Sequence, residues 1–162
     1  MKTSAGILMY RRTKDSSIEV FLIHPGGPFW ARKDLGAWSI PKGEYGEDED
    51  PLDAARREFR EETGFDADGE FIPLEPVKQK GGKVVSAWAV EGSIDPAAIK
   101  SSTFSIEWPP KSGRQAEFPE VDRAEWFSPD EARLKLNLAQ AAFVDSLCDQ
   151  LNVSTRSSLE AP

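Results

Sequence analysis

The chain has one cysteine, one histidine, a minority of basic side chains and no long apolar run. The lone Cys148 excludes an internal disulfide and points to a reducing compartment. Its apolar helical surroundings read as those of a buried, inert thiol. Lys and Arg number 20 against 28 Asp and Glu, a formal net charge of −8. That balance excludes a protein that grips long nucleic acid through a basic surface. It leaves room for a small nucleotide substrate, because a bound divalent cation can supply the local positive charge. No apolar stretch approaches membrane-spanning length. The opening MKTSAGILMYRR has too short an apolar core for a secretory signal, so a cytoplasmic protein without a membrane partner is expected. No internal repeat is present. Oligomeric state is not readable from these features.

What is there begins with size. A chain of 162 residues suits a single domain with a real core, and five Trp and nine Phe are ample to fill it. The richest segment is GEYGEDEDPLDAARREFREETGF, from Gly43 to Phe65. Asp50 or Glu49 can cap a helix there, and Pro51 suits its first turn because the missing N–H is not needed. Good helix formers continue to about Thr63, and Gly64 ends the run. Leu52, Ala55 and Phe59 make a narrow apolar stripe suited to packing on a sheet. Glu58, Glu61 and Glu62 fall at i, i+3 and i+4 and share one arc of the helix. Like charges crowded in that way repel unless a cation sits among them. Hard divalent ions, Mg²⁺ or Mn²⁺, take oxygen ligands and keep waters for a substrate's phosphates. A Glu-rich helix is otherwise usually a solvated face. Arg57 can pair with Glu61 one turn on or reach back to Glu49, and either contact supports the site without doing its chemistry.

The positions of Gly43, Glu49, Arg57, Glu58, Phe59, Glu61, Glu62, Gly64 and Phe65 resemble the Nudix box at every place. The resemblance implies a metal-dependent hydrolase of phosphoanhydrides, with water attacking a bridging phosphorus of a nucleoside-diphosphate-linked substrate. It marks Glu58, Glu61 and Glu62, supported by Arg57, as the catalytic set. Glu58 and Glu62 match the main metal-ligand positions, Glu61 a further one, and Glu58 is also a candidate to orient or deprotonate water. The backbone carbonyl of Lys42 or Gly43 could complete the coordination. Gly43, Glu49 and Gly64 are structural. Many relatives add one carboxylate from outside the box; in FPEVDRAEWF the first candidate is Glu120, with Glu117 second.

Elsewhere the pattern predicts strands at 4–10 and 19–24, a short strand at 37–40 leading into the box, and a hairpin of 71–79 with 84–91 about Gly81-Gly82. Further strands are expected at 103–108 and 125–127. A second helix starts at the Ser128–Glu131 capping box and runs to about Leu151. Residues 1–152 would form the domain and 153–162 a flexible polar tail. The expected fold class is α/β, an α/β/α sandwich around a mixed sheet, as the Nudix resemblance also implies.

Trp38-Ser39-Ile40-Pro41-Lys42-Gly43 is similar to the W-x-x-P-K-G before the box in diadenosine polyphosphate and diphosphoinositol polyphosphate hydrolases. This points to a dinucleoside polyphosphate such as diadenosine tetraphosphate, with Lys42 on a phosphate as a point charge and Trp38 at the substrate or in the core. GGPFW, KQKGGK and FSIEWPP resemble a bacterial Nudix group assigned as NTP pyrophosphohydrolases, which names no one substrate. Other nucleoside triphosphates, nucleotide sugars, RNA ends, or nucleotide binding without catalysis stay open as alternatives. Trp30 and Arg32, with Phe29, Trp108 and Phe118, stand in or beside loops where an aromatic face can stack on a base or a cation can meet a phosphate. His24 ends a strand before a proline and reads as a local hydrogen-bonding residue.

Overall fold

The computed structural model describes residues 2–152, so the expected tail at 153–162 lies outside the described residues. Strands β1 (Thr3–Arg12) and β2 (Ile18–Pro25) pair antiparallel from Tyr10↔Val20 to Arg12↔Ile18. Both faces of β1 are covered. Ala5, Ile7 and Met9 enter one core with Phe21 and Phe59, while Leu8 and Tyr10 enter another with Phe143 and Leu147. This two-sided burial is why β1 reads as an almost unbroken apolar run.

The expected strand at 37–40 is corrected. Trp38 and Ser39 form only isolated bridges, to Leu136 and Ile23, and regular pairing begins at β3 (Lys42–Glu44). Pro41 has no N–H to donate, although its carbonyl accepts from Ile7 N at 3.1 Å. Strand β3 lies antiparallel to the first half of β1, Ser4↔Glu44 to Gly6↔Lys42. Helix α1 (Pro51–Thr63) follows, capped by Asp50, whose side chain accepts from Asp53 N at 3.1 Å. Gly64 ends it at φ 80°, in the left-handed region that side-chain-bearing residues rarely adopt. Ala54 joins Ala55 and Phe59 among the buried residues, so the stripe that packs α1 on the sheet is wider than expected.

The first arm of the next hairpin is broken into β4 (Ile72–Pro73) and β5 (Val77–Lys78), because Pro73 and Pro76 interrupt the donor ladder. Both pieces pair antiparallel with β6 (Val84–Glu91), which runs parallel to β1 from Thr3↔Val84 to Tyr10↔Glu91. The sheet is therefore mixed, in the order β4-β6-β1-β2 and then β9 (Val121–Phe127), with β3 and β5 as side pairings. Strand β9 begins earlier than the expected 125–127 and pairs with β2 along its length. Apart from this sheet stands a hairpin of β7 (Thr103–Glu107) and β8 (Gln115–Pro119), the second of which was not expected.

The second helix is also corrected. It is two pieces, α2 (Pro129–Lys135) and α3 (Ala141–Leu151), split by an extended Leu136 and a single 3-10 turn. The break is held by a segment distant in sequence, where Trp38 O accepts from Asn137 N at 2.8 Å. It delivers Gln140, 1% exposed, into the interior. There its Oε1 accepts from Ile40 N at 3.0 Å, and its Nε2 donates to Ser39 Oγ at 3.1 Å and Gln79 Oε1 at 3.0 Å. Helix α1 covers one face of the sheet, α2 and α3 the other, giving the expected α/β/α sandwich. Cys148 is buried in the second core, and burial pushes its thiol up to about 11. Among the described residues, no helix is long and apolar enough to cross a membrane.

Gln140→Ala should destabilise the protein by about 1–3 kcal/mol in urea unfolding, because it strands the buried Ile40 N–H and leaves a gap. A change near zero would mean that water replaces the amide.

Candidate active site

The site is built where β3 passes over α1. In β3, Lys42 lies opposite Gly6 and Glu44 opposite Ser4, so Gly43 turns its Cα to the helix side. A Cβ on Gly43 would stand 2.1 Å from Glu58 Cδ and 2.1 Å from its Oε1. Only a residue without a side chain lets the Glu58 carboxylate lie against that backbone. Next to it, Lys42 N donates to Glu62 Oε1 at 3.2 Å. Loop and helix thus meet through a carboxylate on each side of Gly43's peptide.

Arg57 makes both of the contacts foreseen for it. Its Nε and Nη2 grip the Glu49 carboxylate at 2.7 and 2.9 Å, fork on fork. Its Nη1 donates to Glu58 Oε1 at 3.1 Å and Glu61 Oε1 at 3.2 Å. Hydrogen bonding to Arg57 lowers the Glu49 pKa, and the same bonds raise that of the guanidinium. The cation between Glu58 and Glu61 is therefore Arg57, which ties the loop to the helix and aims both glutamates.

Among the described residues, Glu62 has no such guanidinium partner, and its one bond is from the Lys42 N–H. Glu62 is 9% exposed, and burial first, then the Glu58 charge, push its pKa up to about 8 against the Lys42 N–H. Glu58 is raised by burial and by Glu61, against the pull of Arg57. Glu120 adds to the upward shift of both. Its backbone is fixed by Glu120 N donating to Ser102 O at 2.8 Å and Gly26 N donating to Glu120 O at 2.9 Å. Glu117, the second choice, is exposed on β8 opposite Ser105.

Among the described residues, no group of three or more histidine, cysteine or acidic side chains is drawn together as a ready metal site. The donor chemistry nevertheless suits a hard divalent ion: burial and neighbouring carboxylates, Glu120 among them, raise the pKa of both Glu58 and Glu62, and the bare Gly43 backbone cradles Glu58.

Lys42 is half-buried. Its amine is pushed below the ordinary lysine range by burial and then by Lys83, while Glu62, Glu44 and Glu58 oppose the shift. Trp38 is a correction: it is fully buried, its Nε1 donates to Asp34 Oδ1 at 2.8 Å, and its ring packs edge-on against Phe127. No ligand can reach it there. Trp30 is exposed with Lys33 Nζ 5.1 Å above its ring, and Arg32 is exposed beside it. Among the described residues, neither shares a hydrogen bond or ion pair with the glutamates. His24 is fully buried and fastens this loop, with Nδ1 2.7 Å from Asp122 Oδ1 and Nε2 2.6 Å from Lys33 O. The Asp122 partnership was missed, since nothing local to FPEVDRAEWF marks it.

The NUDIX domain family model matches residues 1–147. The chain belongs to the Nudix family. A comparison with curated proteins gives no match. Among solved structures, this Nudix hydrolase is similar to a C. elegans Ap4A hydrolase binary complex at 20% identity and TM-score 0.65, covering 94% of this chain and 98% of that one. It is similar to the NUDIX domain of Shewanella oneidensis NrtR, complexed with ADP ribose, at 16% identity and TM-score 0.62, covering 92% and 87%. A mutT/nudix family protein from Listeria innocua matches at 16% identity and TM-score 0.61, covering 93% and 94%. At such identities these neighbours establish the fold.

A carboxyl whose folded pKa is raised stabilises the fold fully below its unfolded value near 4.5 and loses that contribution as pH passes about 8. Protein kept in chelator should therefore lose stability across that range in chemical melts, and Glu62→Gln should flatten the slope. A slope that survives the substitution would assign it to another group. Gly43→Ala should lower turnover by about 10²-fold through displacement of Glu58, with the melting temperature little changed. Wild-type turnover in that variant would mean that Glu58 tolerates displacement.

Proposed function

We propose that this Nudix hydrolase cleaves a phosphoanhydride bond in a nucleoside-diphosphate-linked substrate, and that the substrate is a dinucleoside polyphosphate such as diadenosine tetraphosphate. The observation that carries the reading is the pair Glu58 and Glu62, each with a pKa raised by burial and by neighbouring carboxylates that include Glu120, beside the bare backbone of Gly43. Glu58, Glu62 and Glu120 would hold Mg²⁺ or Mn²⁺, with Glu61 as a further ligand. The chemistry such an ion supplies when bound is neutralisation of phosphate oxygens and acidification of water. Glu58 orients the attacking water and takes up its proton; burial and the Glu61 charge, which raise its pKa, suit it to that role. Lys42, half-buried beside the carboxylates, meets a phosphate. Arg57 and Glu49 hold the loop at the helix, so their part is positioning.

The dinucleoside assignment is supported by the Trp38–Gly43 segment and by the likeness to the C. elegans Ap4A hydrolase. A second reading, an ADP-ribose-like nucleotide sugar, is favoured by the ligand in the Shewanella NrtR domain. A sensor without catalysis would be free to lose its glutamates, and this chain keeps every one of the box. The working unit is residues 1–152, acting in the cytoplasm on a small nucleotide rather than on long nucleic acid or a membrane.

A panel of dinucleoside polyphosphates, nucleoside triphosphates and nucleotide sugars with Mg²⁺ or Mn²⁺ in heavy-oxygen water should give labelled products from diadenosine tetraphosphate. Glu62→Gln should cut that turnover by about 100-fold or more, the several kcal/mol that a lost metal ligand removes from the transition state. Preferred cleavage of ADP-ribose would select the second reading, and no cleavage of any member would remove the enzymatic one.

A further inference from the structure

We propose that the apolar face of the β7–β8 hairpin, together with Phe29, is a platform on which the nucleobase of an anionic nucleotide stacks; this rests on the pyrophosphohydrolase reading and adds the part of the substrate it left unplaced. The hairpin grows directly out of the carboxylate site. At its feet, Glu120 N donates to Ser102 O at 2.8 Å, and Ser102 N donates to Glu61 O at 2.8 Å at the end of α1. It is not a member of the main sheet, and a two-stranded ribbon by itself is marginally stable in water. One side of it is apolar and half-buried, with Phe104 opposite Phe118 and Ile106 opposite Ala116, whereas Ser105 and Glu117 on the other side face solvent.

The loop after β2 covers part of that apolar side and then stops. Gly27, at φ 95°, lies so close to Phe104 that a Cβ there would meet Cζ at 2.8 Å. Phe29 meets Trp108 edge to face, with ring centroids 5.5 Å apart and planes at 81°. Beyond this pair the described residues leave the rings open: Phe29 is 63% exposed, and Trp108 is only partly buried. The loop is nonetheless held in place at both ends. Gly26 N is bonded to Glu120 O at 2.9 Å, and Lys33 O sits 2.6 Å from the buried His24 Nε2. Three residues from Gly26, Phe29 Cα lies at most about 11 Å away, within a nucleotide's reach of Glu120.

Charge argues for a nucleotide rather than a second copy of this chain. Arg32, Lys33, Lys111 and Arg114 stand on the loop and the hairpin tip. The nearby Asp34 is tied to Lys135 Nζ at 2.6 Å, and Glu107 Oε1 accepts from Lys111 N at 2.9 Å. Exposed cations on the flanking loop and the hairpin tip complement phosphates, and a base offers the flat π surface that an exposed aromatic pair can stack.

The test compares a ligand with a base and one without, neither of which can be hydrolysed. In Mg²⁺, calorimetry should show wild-type protein binding both α,β-methylene-ADP and methylenediphosphonate. Phe29→Ala and Trp108→Ala should each weaken the nucleotide analogue by about tenfold, the size of one lost base stack, and leave methylenediphosphonate unchanged. Phe29→Tyr and Trp108→Phe should restore affinity. Equal weakening of both ligands would mean that the two rings only hold the hairpin, and no weakening would put the base elsewhere; either overturns the platform alone. A dimer that Phe29→Ala dissociates, with nucleotide affinity intact, would assign the face to a second copy instead. Failure of wild-type protein to bind either ligand would overturn the platform and the pyrophosphohydrolase reading together.

Discussion

The contact of the Glu58 carboxylate with the backbone of Gly43 is the constraint around which the site is arranged. It requires β3 to lie beside the first half of β1 and α1 to lie against the same strands. The pairing of Ser4 to Gly6 with Glu44 to Lys42 supplies the first condition. Ala54, Ala55 and Phe59, the buried apolar residues of α1 itself, supply the second. Once both hold, Lys42 N reaches Glu62, and Arg57 can span from Glu49 to Glu58 and Glu61.

The same arrangement sets stability against chemistry. A glutamate nine-tenths buried among other carboxylates is costly to ionise, and its raised pKa expresses that cost. Strongly perturbed groups of this kind gather at functional sites. The remainder of the fold is well placed to offset the penalty. Two apolar cores flank β1, and the buried Gln140 has protein partners for both ends of its amide. Buried charge is thereby concentrated along one short edge near β3, the end of α1 and Glu120.

What could be read locally was read well. Helix α1 has the expected bounds because cap, first-turn proline and terminal glycine each act within a few residues. Strand β1 was legible from its composition alone. Strand β8 was not, since QAEFP is short and half-polar, and only its pairing with β7 makes it a strand. The interruption between α2 and α3 was also invisible, because its cause, Trp38 O accepting from Asn137 N, comes from a hundred residues away. Trp38 looked equally suited to a ligand or to the core. Its neighbours Asp34, Phe127 and His24 decide for the core.

By itself, the order of residues determined the metal-suited helix face, the family and the two-layered covering of the sheet. Each of these depends on spacings within a helical turn or a strand's alternation, which the backbone geometry dictates locally. Only the tertiary structure decided that Glu120 comes near enough to raise the pKa of Glu58 and Glu62, that Arg57 serves Glu49 and Glu61 at once, and that an aromatic hairpin rises beside them. Those outcomes depend on which distant segments share a boundary, and long-range packing, not local preference, settles that.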